Sequence, residues 1–125
     1  MTLSVGHIFI YPCLWVQPPH PKIALCFCAE RRWVFFFNSN PCFHGIAQLQ
    51  VEAKDHEEAL TKACYLNLSE TLCTSLDEAK SARDTGIISA SLRDRIVAIL
   101  ANPIKTLPDA QRSLALANLQ GLVLG

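Results

Sequence analysis

The chain has 125 residues, half of them hydrophobic and 18% charged, which excludes a disordered polypeptide and sets the size of a single domain. Eleven basic and eleven acidic residues cancel to a formal net charge of zero. That excludes a global electrostatic footprint for nucleic acid, leaves room for a local basic patch, and gives so little repulsion between copies that a homodimer is expected.

The first predicted strand is His7-Ile8-Phe9-Ile10-Tyr11, opened by Gly6 and closed by Pro12. From Pro12 to Pro21 four prolines forbid a central strand and predict a loop. Two apolar runs follow, Ile23 to Cys28 and Trp33 to Phe37, joined by the charged turn Glu30-Arg31-Arg32, which reads as a buried β-hairpin. Phe35-Phe36-Phe37 has to bury on both faces. Antiparallel pairing brings His20 and Lys22, before the first strand, to the same end as Asn38 and Ser39, after the second. Further strands are expected at Ile46 to Val51 and Ala63 to Leu68, with a charged loop or helical turn at Lys54 to Glu58.

Ser75-Leu76-Asp77-Glu78 is a capping box and predicts a short helix through Ala82 and Arg83, ended by Gly86. Ser91 starts a second helix with Leu92, Ile96, Ile99 and Leu100 on one face, and Thr106-Leu107-Pro108-Asp109 starts a last helix running to about Leu119. The expected class is α+β in one domain, residues 1–125, mainly β over 1–74 and mainly helical over 75–125.

No apolar run reaches the roughly 20 residues of a membrane span, and Met1 to His7 lacks the basic start of a signal peptide, so a cytoplasmic protein without a membrane partner is expected. Cysteines 13, 26, 28, 42, 64 and 73 contain no CxxC pair. They read as buried free thiols in a reducing cytosol, with Cys26 and Cys28 on one face of their strand, and no metal or cofactor is expected.

In this order the chain resembles the MazF/PemK-type toxins, the endoribonuclease half of toxin–antitoxin pairs. The resemblance is carried by Gly6-His7-Ile8-Phe9, by His20-Pro21-Lys22-Ile23-Ala24-Leu25, by Val34 to Ser39, and by Asp84 to Ser89 with the Leu92–Leu100 helix. It implies a small SH3-like β-barrel followed by C-terminal helices, a dimer, an antitoxin protein as partner, and metal-independent cleavage of single-stranded RNA. His20 stands where the family has arginine and His7 where it has an acid.

Such cleavage takes a proton from a 2′-hydroxyl, stabilises charge on phosphorus and returns a proton to the leaving 5′-oxygen. The expected catalytic residues are therefore His20, Ser39 and Lys22. Asn38, His44 and Trp15 are the expected RNA-binding residues, Trp15 by stacking on a base. His7 is expected to be structural, His56 to be solvated, and Arg31 and Arg32 to form a solubilising hairpin tip. The competing function is a non-catalytic binding or inhibitor module on the same fold, as a phage or mobile-element protein acting on a host system would be.

Overall fold

The two apolar runs form the middle of the molecule. The computed structural model describes residues 3–13, 20–41 and 46–124. Among the described residues seven strands form one antiparallel sheet: β1 (His7–Cys13), β2 (His20–Cys28), β3 (Trp33–Asn38), β4 (Gln48–Val51), β5 (Cys64–Asn67), β6 (Leu72–Cys73) and β7 (Arg83–Ile87). Their order is β4-β5-β3-β2-β1-β7, with β6 pairing β3 off this path, so β4 and β7 are the edges. Helix α1 (Leu76–Ser81) precedes β7, and α2 (Ala90–Leu100) and α3 (Asp109–Gln120) follow it. The fold is α+β with two C-terminal helices. No helix among the described residues is long and apolar enough to cross a membrane.

Side chains alternate across a strand, so the three-phenylalanine run feeds two cores. Phe35 and Phe37 join Ile8, Leu25 and Leu66 beneath Leu92, Ile96, Leu100, Ala115 and Leu119 of α2 and α3. Phe36 and Val34 join Phe9, Tyr11 and Ala24 beneath Ala79 and Ala82. Helices therefore cover both faces, which is why β2 and β3 read as unbroken apolar runs.

Cys26 and Cys28 break that alternation. Cys26 faces the α1 side and Cys28 the α2–α3 side, because a bulge shifts the register between Cys26↔Val34 and Cys28↔Trp33. The expected shared face is thus corrected. The Phe27 carbonyl at the bulge accepts a hydrogen bond from the Asn118 amide of α3 at 2.8 Å. Cys26, Cys28 and Cys64 are buried free thiols and Cys73 an exposed one; burial pushes the Cys26 thiol up to about 12. Cys13 and Cys42 are not described at the side-chain level.

The expected proline loop is shorter than the sequence implies. β1 continues through Pro12 and Cys13, and β2 begins at His20, with Pro12↔Pro21 and Cys13↔His20 in register. The outer neighbours stop earlier, at Ile10↔Arg83 and Ile23↔Phe37, so no outer strand waits for the missing proline N–H.

At the hairpin tip Arg32 adopts a left-handed backbone, φ 56°. Its carbonyl accepts from the Thr74 N–H and its Nε donates to the Thr74 carbonyl, both at 2.9 Å. Arg32 is therefore a clamp between the tip and the approach to α1, while Arg31 lies over Trp33.

The Ser75–Glu78 capping box forms as predicted, with both reciprocal bonds at 3.1 Å. The helix stops at Ser81, Ala82 caps it, and Arg83–Ile87 become β7. α2 is capped by Ser89 rather than Ser91, the Ser89 Oγ accepting from the Leu92 N–H. Thr106 caps nothing; its hydroxyl donates to the Ser69 carbonyl at 2.6 Å, and α3 begins after Pro108. α2 and α3 satisfy each other's ends. Arg93 of α2 donates to the Leu119 and Leu122 carbonyls, and Arg112 of α3 to the Leu100 carbonyl.

Gly6 turns the chain into β1 with φ +81°, and a Cβ built there lies 2.5 Å from the Leu122 Cδ1. Both its backbone groups are bonded, N–H to the Cys26 carbonyl and C=O to the Ile88 N–H. Gly6→Ala is expected to cost about 1–2 kcal/mol, the strain of an L-residue in that region. A lowered urea midpoint at unchanged slope is the measurement.

Candidate functional site

The sequence places a site at the open end of the β2–β3 pair. There Lys22, half-buried, donates from Nζ to the Asn38 Oδ1 at 3.3 Å and sits 4.9 Å from the centre of the Phe36 ring. The amide dipole and the ring's negative face both hold the ammonium in place. Lys22 and Asn38, two of the expected residues, are thus brought together. His20 is described only as a backbone position in β2, opposite Cys13. Trp15 and His44 lie outside the described residues.

Ser39 is elsewhere. It lines a cavity of about 80 Å³ with Asn38, Thr61, Lys62 and Cys64, over Ile23, Phe37 and Leu60. That is the α2–α3 side of the sheet, to which Phe37, Leu60 and Cys64 belong, whereas Lys22 lies over Phe36 on the α1 side. Alternation along β3 explains the division, since Asn38 and Ser39 are neighbours and point opposite ways. The expected amine and hydroxyl share an end of the hairpin and not a face. Burial raises the Cys64 thiol; Asp55 and Glu52 add to this and the Lys62 charge opposes it.

A second polar group lies at the β1–β7 edge, where the sequence predicts no strand at residues 83–87. β7 sets two residues, Thr85 and Gly86, against Ile8 of β1, between the pairs Phe9↔Asp84 and His7↔Ile87. The Thr85 hydroxyl donates to the Ile8 carbonyl at 2.6 Å and lies 2.9 Å from the His56 Nε2. Its single proton being committed to Ile8, Thr85 accepts from His56, which fixes the Nε2–H tautomer of the neutral ring. His56 is 5% exposed, against the expectation of a solvated side chain. Burial lowers its pKa below the usual imidazole value, outweighing the upward pull of Glu58.

Beside it, the His7 Nδ1 lies 3.0 Å from both carboxylate oxygens of Asp84. Asp84 Oδ1 also accepts from the Gly86 N–H at 2.8 Å. Desolvation raises the Asp84 carboxyl, but these two hydrogen bonds outweigh it and hold the carboxyl below its usual range. His56 also lines an open cavity of about 320 Å³ with Lys54, Asp55, Glu57, Glu58 and Ser89, where carboxylates outnumber cations. This edge is an ordering device for the β7 bulge rather than a basin for an anion. Among the described residues no group of three or more His, Cys, Asp or Glu side chains is placed to hold a metal ion.

The residues that sequence reasoning missed at the hairpin end are Thr61 and Lys62. They precede β5, and the pairs Phe37↔Leu66 and Asn38↔Tyr65 carry them back toward Ser39. Only the pairing of β3 with β5 gives that proximity; no spacing in the sequence signals it.

No family pattern matches the chain, and no curated protein matches it.

Proposed function

We propose that this chain is a MazF/PemK-like toxin that cleaves single-stranded RNA without a metal, at the open end of the β2–β3 hairpin. The observation that carries the reading is Lys22, whose ammonium is held between an amide oxygen and an aromatic face two positions along β2 from His20. A fixed cation at that place suits a phosphodiester whose charge grows in the transition state. His20, as an imidazole, takes the 2′-hydroxyl proton; the 2′-oxygen attacks phosphorus, the P–O5′ bond breaks, and the leaving 5′-oxygen takes a proton from water. The products are a 2′,3′-cyclic phosphate and a 5′-hydroxyl. On this reading the sheet is an SH3-like barrel, the protein is a cytoplasmic homodimer, and an antitoxin protein covers the RNA groove.

Long single-stranded RNA incubated with the protein in EDTA is expected to be cut, with these end groups. His20→Ala is expected to lower the rate by about 10²-fold or more, the usual loss of a general acid–base group, and Lys22→Ala and Ser39→Ala to lower it too. Intact RNA with the wild-type protein overturns the reading. One observation favours a second: Ser39 opens on the opposite face from Lys22. RNA that is bound and left whole, in EDTA and in magnesium alike, identifies the non-catalytic binding module.

A further inference from the structure

We propose that Ser39, Thr61 and Lys62 form a second phosphate-binding point for the same RNA strand, on the face of the hairpin end opposite Lys22. The inference rests on the RNA reading above and deepens it. It starts from the division between the faces. If Lys22 and Ser39 had to converge on one phosphate, their separation by the sheet would defeat the site. They serve instead as two successive stations when the strand crosses the end of β3 from one face to the other.

The chemistry of the small cavity supports an anion there. Its lining holds two hydroxyl residues, Ser39 and Thr61, and the cation Lys62, beside the apolar Phe37 and Leu60. Among the described residues no carboxylate lines it. The larger cavity beside His56 is lined by Asp55, Glu57 and Glu58, and that between the hairpin tip and α1 by Glu30 together with Arg32 and Lys80. Of these three cavities, the one at the hairpin end is the one that has a cation and no carboxylate in its lining. Ser39, Thr61 and Lys62 are exposed, so a backbone phosphate reaches them without rearrangement of the core. Asn38, at the strand end, lies between the stations: its side chain accepts from Lys22 and it also borders the cavity.

Counterion release gives a readout that separates charge from hydroxyl contacts. Each phosphate neutralised on a single strand contributes about −0.7 to the slope of log Kobs against log salt. The probe is a fluorescent single-stranded oligoribonucleotide carrying 2′-O-methyl groups, which cannot be cleaved, titrated by anisotropy over a series of salt concentrations. Lys62→Ala is expected to weaken binding and make the slope shallower by about 0.7; Lys22→Ala is expected to do the same, and the double variant to lose about 1.4. Thr61→Val and Ser39→Ala are expected to weaken binding at unchanged slope, because neutral donors release no counterion. Lys105→Ala, in the α2–α3 connection, is expected to change neither. A Lys62→Ala slope equal to wild type, with Lys22→Ala still shallower, overturns the second station and leaves the RNA reading standing. Wild-type protein that binds no oligonucleotide overturns both. Each variant's circular dichroism and thermal midpoint are compared with wild type, and Lys62→Arg, keeping the charge, is expected to restore the slope.

Discussion

Phe35→Ala is expected to remove about 3–5 kcal/mol of stability, the range for deleting a buried phenylalanine. Phe35 is fully buried in the middle strand, and its ring stacks on Phe27 with centroids 4.3 Å apart and planes 21° apart. Phe27 in turn touches Trp33, so one truncation opens a void beside two more aromatic rings. α2 and α3 lie over that void and are held by their own mutual caps, which limits how far they can collapse into it. A domain of this size has roughly 5–15 kcal/mol in total, so the variant stands near the edge of folding at body temperature. Urea unfolding followed by tryptophan fluorescence is the measurement. With a slope of about 2 kcal/mol/M the midpoint falls by roughly 2 M. A midpoint within a few tenths of wild type contradicts the packing described.

The second large effect concerns the β1–β7 edge. Thr85→Val keeps the shape of the side chain and deletes the hydroxyl that bonds both the Ile8 carbonyl and His56. Each orphaned buried group costs about 1–3 kcal/mol, and a loss of about 2–4 kcal/mol is expected for the two together. Thr85→Ser, which retains the hydroxyl, is expected to recover most of it. His56 adds a pH signature. Its pKa in the fold lies below the ordinary value of 6.5, so near that pH the unfolded chain binds more protons than the folded one. The contribution of neutral His56 is therefore fully present above about 6.5 and is lost as the pH falls through the ordinary value toward the folded one. Asp84, also lowered, acts further down: its contribution is present above the ordinary carboxylate value of 3.8 and is lost in acid below it. Stability measured between pH 8 and pH 5 is expected to decline on acidification, and His56→Gln to flatten that decline. A wild-type profile that does not fall across this range contradicts the assignment.

The central hairpin, the capping box of α1 and the buried stripe of α2 were legible because each is written locally. Ile23 to Cys28 and Trp33 to Phe37 carry their apolar runs on consecutive residues, and Ser75 and Glu78 stand at the spacing of a capping box. β7 was not legible. Arg83-Asp84-Thr85-Gly86-Ile87 buries one side chain, Thr85, and is a strand because its backbone pairs with β1; an edge strand held this way has no hydrophobic period to read. The site divided along the same line. Lys22 and Asn38 meet because antiparallel pairing of adjacent strands dictates it. The separation of Ser39 from Lys22 depends on the parity of one residue, and the company of Thr61 and Lys62 depends on which strand lies beside β3. His56 reads as a solvated residue among Lys54, Asp55, Glu57 and Glu58 until Thr85, 29 residues on, receives its N–H.

The pairing of β1 with β7 also sets the timetable of synthesis. Thr85 reaches back across 77 residues to Ile8, and the helices that cover Phe35 and Phe37 come later still. At about 5–20 residues per second, a ribosome needs roughly 4–15 s between making the first strand and making its outer neighbour. During that interval the nascent hairpin has both phenylalanine faces uncovered and one β1 edge unpaired. The domain therefore completes its fold only once its C-terminal helices have emerged, and pairing between strands so far apart in the chain makes that last step slow compared with a helical domain of equal length. Holding the emerging hairpin is the natural task of a chaperone at the tunnel exit.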